Sequence, residues 1–229
     1  LKNRYPNVRI LTWKKEFNYS AINNFAVREA RGEYLLFLNN DVEIITESWL
    51  EEMLQLCQQK DVGMAGAKLY YPDDTIQHAG VVVGLGGVAA HVLCKLPRDA
   101  EGYMGRLRCV QEISAVTAAC MMVKTSVFKA VGGFDEELKV AFNDIDLCMK
   151  VRKYGVKIVF TPYAELYHYE SKSRGMEDTP EKQLRFSREV NCFRRKWERE
   201  LLKGDPYYNP NLTLNNTDCS LRKQEKNGD

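Results

Sequence analysis

The sequence predicts an α/β domain: a mixed, mostly parallel sheet flanked by helices, with a C-terminal helix and an extended tail. Three observations carry that expectation. Stretches with apolar residues at helical spacing alternate with short apolar runs of strand length. Gly, Asn and Pro stand at the joins. The chain has 229 residues, 45% hydrophobic and 28% charged, enough to bury one sizeable core.

The elements follow in order. Tyr5-Pro6-Asn7 reads as a turn into a short strand at 8–12. A helix is expected over 18–31, where Ile22, Phe25, Ala26 and Ala30 recur, with Asn18 or Ser20 as N-cap and Gly32 as stop. The uninterrupted apolar run 34–38 suits a central strand covered on both faces. Thr46 caps an amphipathic helix reaching Gln59, and a strand follows over 62–70. Residues 72–105 are turn-rich, with a hairpin around 79–83. A strand over 114–124, a short helix over 126–131 and a turn at 132–135 come next. Residues 144–154 repeat the helical period up to Gly155, and two short strands are expected at 157–160 and 164–169. One long helix, 180–203, places Phe186, Val190, Phe193, Trp197 and Leu201 on one stripe, with Pro180 in its first turn. Residues 1–203 thus form the domain, and 204–229 a polar tail that packs as an arm or stays mobile.

Composition narrows the function. With 33 Lys and Arg against 31 Asp and Glu, the charge is too even for a surface built to hold nucleic acid. No apolar run is long enough to span a bilayer, and the first residues form no secretory signal. The odd count of seven scattered cysteines, without a CxxC pair, suggests neither a disulfide framework nor a zinc knuckle, and fits a reducing cytoplasm.

Three constellations could carry chemistry. Asn39-Asn40-Asp41 stands where an apolar strand runs out into a loop, the place where open α/β sheets bind ligands. Asn143-Asp144-Ile145-Asp146 opens a helix, and its acids either complement the helix dipole or supply a general base. His168 lies among aromatics on a strand or its end, where a packing histidine and a ligand are both readings. His78 and His91 have no ligand-like spacing and read as structural residues or substrate contacts. Gly84-Leu85-Gly86-Gly87-Val88-Ala89 formally matches the dinucleotide pattern GxGxxA, the basis for an alternative reading as a nicotinamide-dependent dehydrogenase. Pro97, Asp99, Gly102 and Gly105 break what should be its helix, so a tight hairpin or active-site loop fits better. Basic residues outnumber acidic ones over 180–203, a solvated face with membrane or partner docking as the lesser reading. The sequons at Asn211 and Asn215 have no secretory context.

Read in order, the segments 30–41, 131–136 and 142–148 and His168 resemble the family 2 inverting glycosyltransferases of the GT-A fold, a Rossmann-like architecture. The tail 205–212 resembles bacterial members that build rhamnose-containing or O-antigen-type polysaccharides. The resemblance implies transfer of a sugar from a nucleotide-sugar donor to a glycan or lipid-linked glycan acceptor, on the cytoplasmic side and with peripheral membrane association. It implies that Asp41, with His168, binds Mg²⁺ or Mn²⁺, that Asp144 is the general base, and that Asn23, Asn24, Asn39 and Asn40 face the nucleotide. Asn stands at 39 and 143 where the family has acids, which keeps a non-catalytic glycan-binding or assembly module as the rival reading. The family's first strand, helix and second strand have no counterpart before Leu1, so the chain by itself is expected to bind donor poorly and to be inactive.

Overall fold

In the computed structural model, which describes residues 4–170 and 179–223, the sheet is centred on β3 (Val62–Tyr70), every residue of which is buried. β8 (Cys120–Lys124) lies on one side of it and β9 (Lys157–His168) on the other. β1 (Tyr34–Leu38) closes the path beyond β8, and β2 (Val42–Ile44) beyond β9. Two short strands, β4 (Ile76–His78) and β7 (Gln111–Glu112), join off this path. A separate hairpin pairs β5 (Val81–Val83) with β6 (Ala89–His91).

The sheet is mixed, but only β3 and β9 pair in parallel; the other described ladders are antiparallel, which corrects the expected mostly parallel sheet. Alternating helices and strands fix the layers and not the strand sense. Here β3 reaches β8 through the turn-rich excursion over 71–119, not through a crossover helix, and β8 enters reversed. Because β1 and β3 are both antiparallel to β8, and β9 is parallel to β3, the strands β1, β3 and β9 share one direction.

Other boundaries also move. No strand forms over 8–12, since nothing among the described residues pairs with it, and Ile10 and Leu11 stay exposed. β1 ends the described sheet instead of lying at its centre. Leu35 and Phe37 pack into one core cluster, Tyr34 and Leu36 against the other, and Leu38 is 41% exposed. Only the second half of 114–124 is a strand. Val116 leaves the ladder and crosses over Gly66, where a Cβ would sit 2.3 Å from a Val116 methyl carbon. Residues 157–168 form one strand with a register shift against β3, not two.

The helices are α1 (Tyr19–Glu29), α2 (Trp49–Cys57), α3 (Thr125–Ala130), α4 (Asn143–Tyr154), α5 (Pro180–Lys196) and α6 (Glu198–Lys203). Asn18 caps α1, its side chain accepting from Ala21 N–H at 3.0 Å. Thr46 does not cap α2 with its side chain; its hydroxyl accepts from Glu165 N–H instead. The expected single C-terminal helix is broken at Trp197, whose indole N–H donates to the buried Asp146 carboxylate at 2.8 Å. The break is one residue wide, since Trp197 N–H still donates to Phe193 O and Leu201 N–H to Trp197 O, both at 2.9 Å. The tail beyond α6 is a succession of turns, not the expected extended arm; it bonds the β5–β6 hairpin through Asp205 and Leu214, and Tyr208, Leu212 and Cys219 join the main core; residues 224–229 lie outside the described part. All seven cysteines are unpaired.

Candidate functional site

Since β1, β3 and β9 run the same way, the loop after β1 and the end of β9 fall at one rim of the sheet. Asn39, Asn40 and Asp41 follow β1, and His168 is the last residue of β9. A cleft of about 870 Å³ opens there. It is lined by Asn39, Asn40, Asp41 and His168, by Asn23 of α1, and by Asp144 of α4. The rim is the crevice at the carboxyl ends of strands where α/β sheets bind ligands.

His168 is held in one tautomer. Gln77 donates its amide to the His168 carbonyl at 3.2 Å and to Glu170, which turns Gln77 Oε1 toward His168 Nδ1 at 2.7 Å. Nδ1 therefore carries the proton, and the Nε2 lone pair faces the cleft, 3.2 Å from Asn39 Nδ2 and 3.3 Å from Asp41 Oδ1. Burial lowers the His168 pKa below its ordinary value, with the Asp41 charge opposing that shift. Asp41 Oδ1 is itself buried and accepts no hydrogen bond. The Nε2 lone pair thus accepts from the Asn39 amide N–H, with the Asp41 carboxylate oxygen beside it.

Asp144 stands in the first turn of α4. One carboxylate oxygen accepts from Ala118 N–H at 3.2 Å and the other from Ile145 N–H at 2.8 Å. The turn before it is built with strain. Phe142 takes a left-handed φ of 61°, held by ring contacts to Phe186 and Phe193. Glu189, buried on α5, accepts from Val140 N–H and Ala141 N–H at 2.9 and 3.0 Å. The two acids of this turn have different surroundings. Asp146 is fully buried between Lys150, Lys196 and Trp197, whereas Asp144 faces the cleft. Asn143 spends its side chain on the Val140 carbonyl.

Asn24 does not join the cleft. Its amide bonds both the N–H and the carbonyl of Phe134, plus Glu136, and so fastens the glycine turn to α1. The structure adds residues that sequence reasoning missed. Tyr19 lines the cleft and donates its hydroxyl to Ala118 O; burial and then the Asp144 charge raise its pKa. Thr117, Lys139, Glu170 and Arg185 also line it. The spacing of Asn18 as a cap could have flagged Tyr19, but nothing local marks Gln77 or Thr117. The glycine run after Val83 makes a hairpin turn between antiparallel strands, with Gly84, Gly86 and Gly87 at positive φ. It opens no helix, so the dehydrogenase reading loses its one support. Among the described residues, no group of three or more His, Cys, Asp or Glu is arranged to hold a metal ion, and no helix is long and apolar enough to cross a membrane.

The acids, amides and imidazole gathered at this rim suit the binding of a polar ligand in one cleft. The chain belongs to the Glycosyltransferase like family, whose model matches residues 6–189. It is 56% identical over 215 residues, 93% of its length and 24% of the relative's, to "Uncharacterized protein y4gI" of Sinorhizobium fredii. It is 42% identical over 225 residues, 98% of its length and 17% of the relative's, to "O-antigen biosynthesis protein RfbC" of Myxococcus xanthus. The chain therefore spans a quarter or less of these two curated relatives. Among solved structures it is similar to a mannosyltransferase from Pyrobaculum calidifontis in complex with GDP-Man and Mn²⁺. The TM-score is 0.57 and the identity 14%, over 86% of this chain and 49% of that one. The shared fold is GT-A.

Proposed function

We propose that the protein transfers a sugar from a nucleotide-sugar donor to a hydroxyl of a growing bacterial surface glycan, with inversion and with a divalent ion, on the cytoplasmic side. The observation that carries this reading is that Asp41, Asp144 and His168, far apart in sequence, line one cleft. The family supports a glycosyl transfer, and the printed name of the Myxococcus relative supports a polysaccharide product.

Asp41 and His168 would hold Mg²⁺ or Mn²⁺. The buried, unpartnered Asp41 oxygen and the Nε2 lone pair 3.3 Å away fit that purpose, and both are ligand types such ions accept. When bound, the ion stabilises negative charge on the departing diphosphate. Two protein ligands are few, so the donor's phosphates would have to supply further oxygens and ion and nucleotide would each strengthen binding of the other. Asn23, Asn39 and Asn40 offer amides to the ribose and diphosphate, and Lys139 and Arg185 add positive charge to the cleft wall. Asp144 accepts the acceptor's proton. As the acceptor oxygen bonds to the anomeric carbon, the bond from that carbon to the diphosphate oxygen breaks, and the nucleoside diphosphate leaves. The backbone N–H bonds to Asp144 hold its carboxylate in place at the cleft.

The test is a screen of the full protein against UDP-, GDP- and dTDP-sugars with Mn²⁺. Asp144→Asn should lower kcat by ~10² to 10⁴ while leaving the nucleotide Kd within about twofold. Full activity in that variant would reduce Asp144 to a helix-capping acid, and absence of any donor consumption by the wild type would leave a glycan-binding module, the reading that Asn at 39 and 143 favours.

A further inference from the structure

Resting on the transfer reading above, we infer that a second, smaller cavity behind the cleft receives the terminal sugar ring of the acceptor. The cavity measures about 270 Å³ and lies beneath the β5–β6 hairpin. His91, Cys94 and Thr217 line it alone, whereas Thr117, His168 and Glu170 line both it and the cleft. A ligand in the small cavity therefore abuts whatever lies over Asp41 and His168. The shared wall residue Thr117 is next in chain to Ala118, whose N–H donates to the Asp144 carboxylate. The Asp144 charge acts on His91 across this gap, partly offsetting the effect of burial on that imidazole.

The chemistry of the walls selects the occupant. His91 Nδ1 lies 3.0 Å from the Gln77 carbonyl and 3.1 Å from His78 Nδ1, and its Nε2 has no hydrogen-bond partner among the described residues, so that nitrogen is left to a ligand. Among the described residues Glu170 accepts a long bond from Gln77, at 3.4 Å. Thr117 and Thr217 can donate or accept. Such a set, an imidazole, a carboxylate and two hydroxyls, suits a neutral ligand rich in hydroxyls. The volume falls below the ~300–1,000 Å³ of pockets for drug-sized ligands. It is the size of one pyranose, not of a nucleotide. This assigns His91, read from sequence as structural or a substrate contact, to the acceptor.

The experiment measures separate donor and acceptor KM values in the full protein, with the methyl glycosides of rhamnose and N-acetylglucosamine as acceptor probes and the nucleotide sugar found in the screen as donor. His91→Ala removes one polar contact and should raise the acceptor KM by about 3- to 10-fold. Thr217→Trp fills the cavity from the tail, without touching the His78–His91 contact, and should raise it further. In both variants the donor KM stays within about twofold. As a readout besides turnover, the same glycosides should slow alkylation of Cys94, followed by peptide mapping, whereas nucleoside diphosphate with Mn²⁺ should not. An unchanged acceptor KM in Thr217→Trp, or a donor KM that rises in parallel, overturns the assignment while the transfer reading stands. A wild type that consumes no nucleotide sugar overturns both.

Discussion

His168 is neutral in the folded protein because burial disfavours its charged form more than Asp41 favours it. The folded pKa lies below the unfolded value of 6.5, so His168 contributes stability above pH 6.5 that is lost as pH falls through its folded pKa. A metal needs the same lone pair that a proton takes. Affinity for Mn²⁺ in the presence of nucleoside diphosphate is therefore expected to be flat above pH 6.5 and to drop only below it, whereas His168→Ala binds weakly at every pH. Calorimetric titrations across that range check this, and a wild-type profile parallel to that of the alanine variant would return His168 to a packing role. Residues of this kind are legible in sequence because chemistry restricts their type: an acid after a strand, an acid opening a helix, a late histidine. Gln77 is as necessary to the tautomer, but its part comes from a contact across 91 residues of chain, which no local pattern encodes. Asn24 shows the converse. Its type and position suit a ligand contact, yet its amide is saturated by Phe134 and Glu136.

Helix α4 delivers Asp144 only because α5 holds the turn before it. Val140 and Ala141 have no ladder or helix to receive their N–H groups, and the Glu189 carboxylate, 3% exposed, takes both. Glu189→Ala leaves those donors buried and unpaired, at about 1–3 kcal/mol each. Glu189→Gln keeps one acceptor oxygen and should lose roughly half as much, with urea denaturation as the measure. Equal losses in the two variants would mean that the carboxylate charge, paired with Arg185 at 3.6 Å, matters and not the acceptors for the two N–H groups. The apolar stripe of α5 was readable from its period, but the break at Trp197 was not, since it depends on a buried carboxylate one helix away. Strand β3 was read to the residue because a run of apolar and small residues, interrupted only by Lys68 and bounded by turns, fits a strand buried on both faces. The same reasoning misplaced β1, whose similar run ends the described sheet. Local composition reports that a strand is apolar; only the topology decides which neighbours it has.

Across the whole molecule, the tail ties the hairpin to the floor of the site. Asp205 accepts from Ser114 Oγ at 2.7 Å, Val83 N–H at 2.8 Å and Tyr207 N–H at 2.9 Å, while Leu93 N–H donates to the Thr217 carbonyl and Gly86 N–H to that of Leu214. Ser114 begins the buried run that carries Thr117 and Ala118, and Ala118 in turn holds Asp144. The polar composition of 204–229 suggests a detached arm, yet its few apolar residues, Tyr208, Leu212 and Cys219, belong to the main core. Asp205→Ala should destabilise the protein by about 1–3 kcal/mol for each donor left buried, seen as a lower Tm. Because Ser114 and Val83 lie on different segments fixed by one carboxylate, hydrogen exchange in that variant should speed up at both the hairpin and residues 114–118, with α2 and β3 unchanged. Faster exchange confined to the hairpin would separate the tail from the catalytic turn, and Asp144 would then depend on α5 alone for its position.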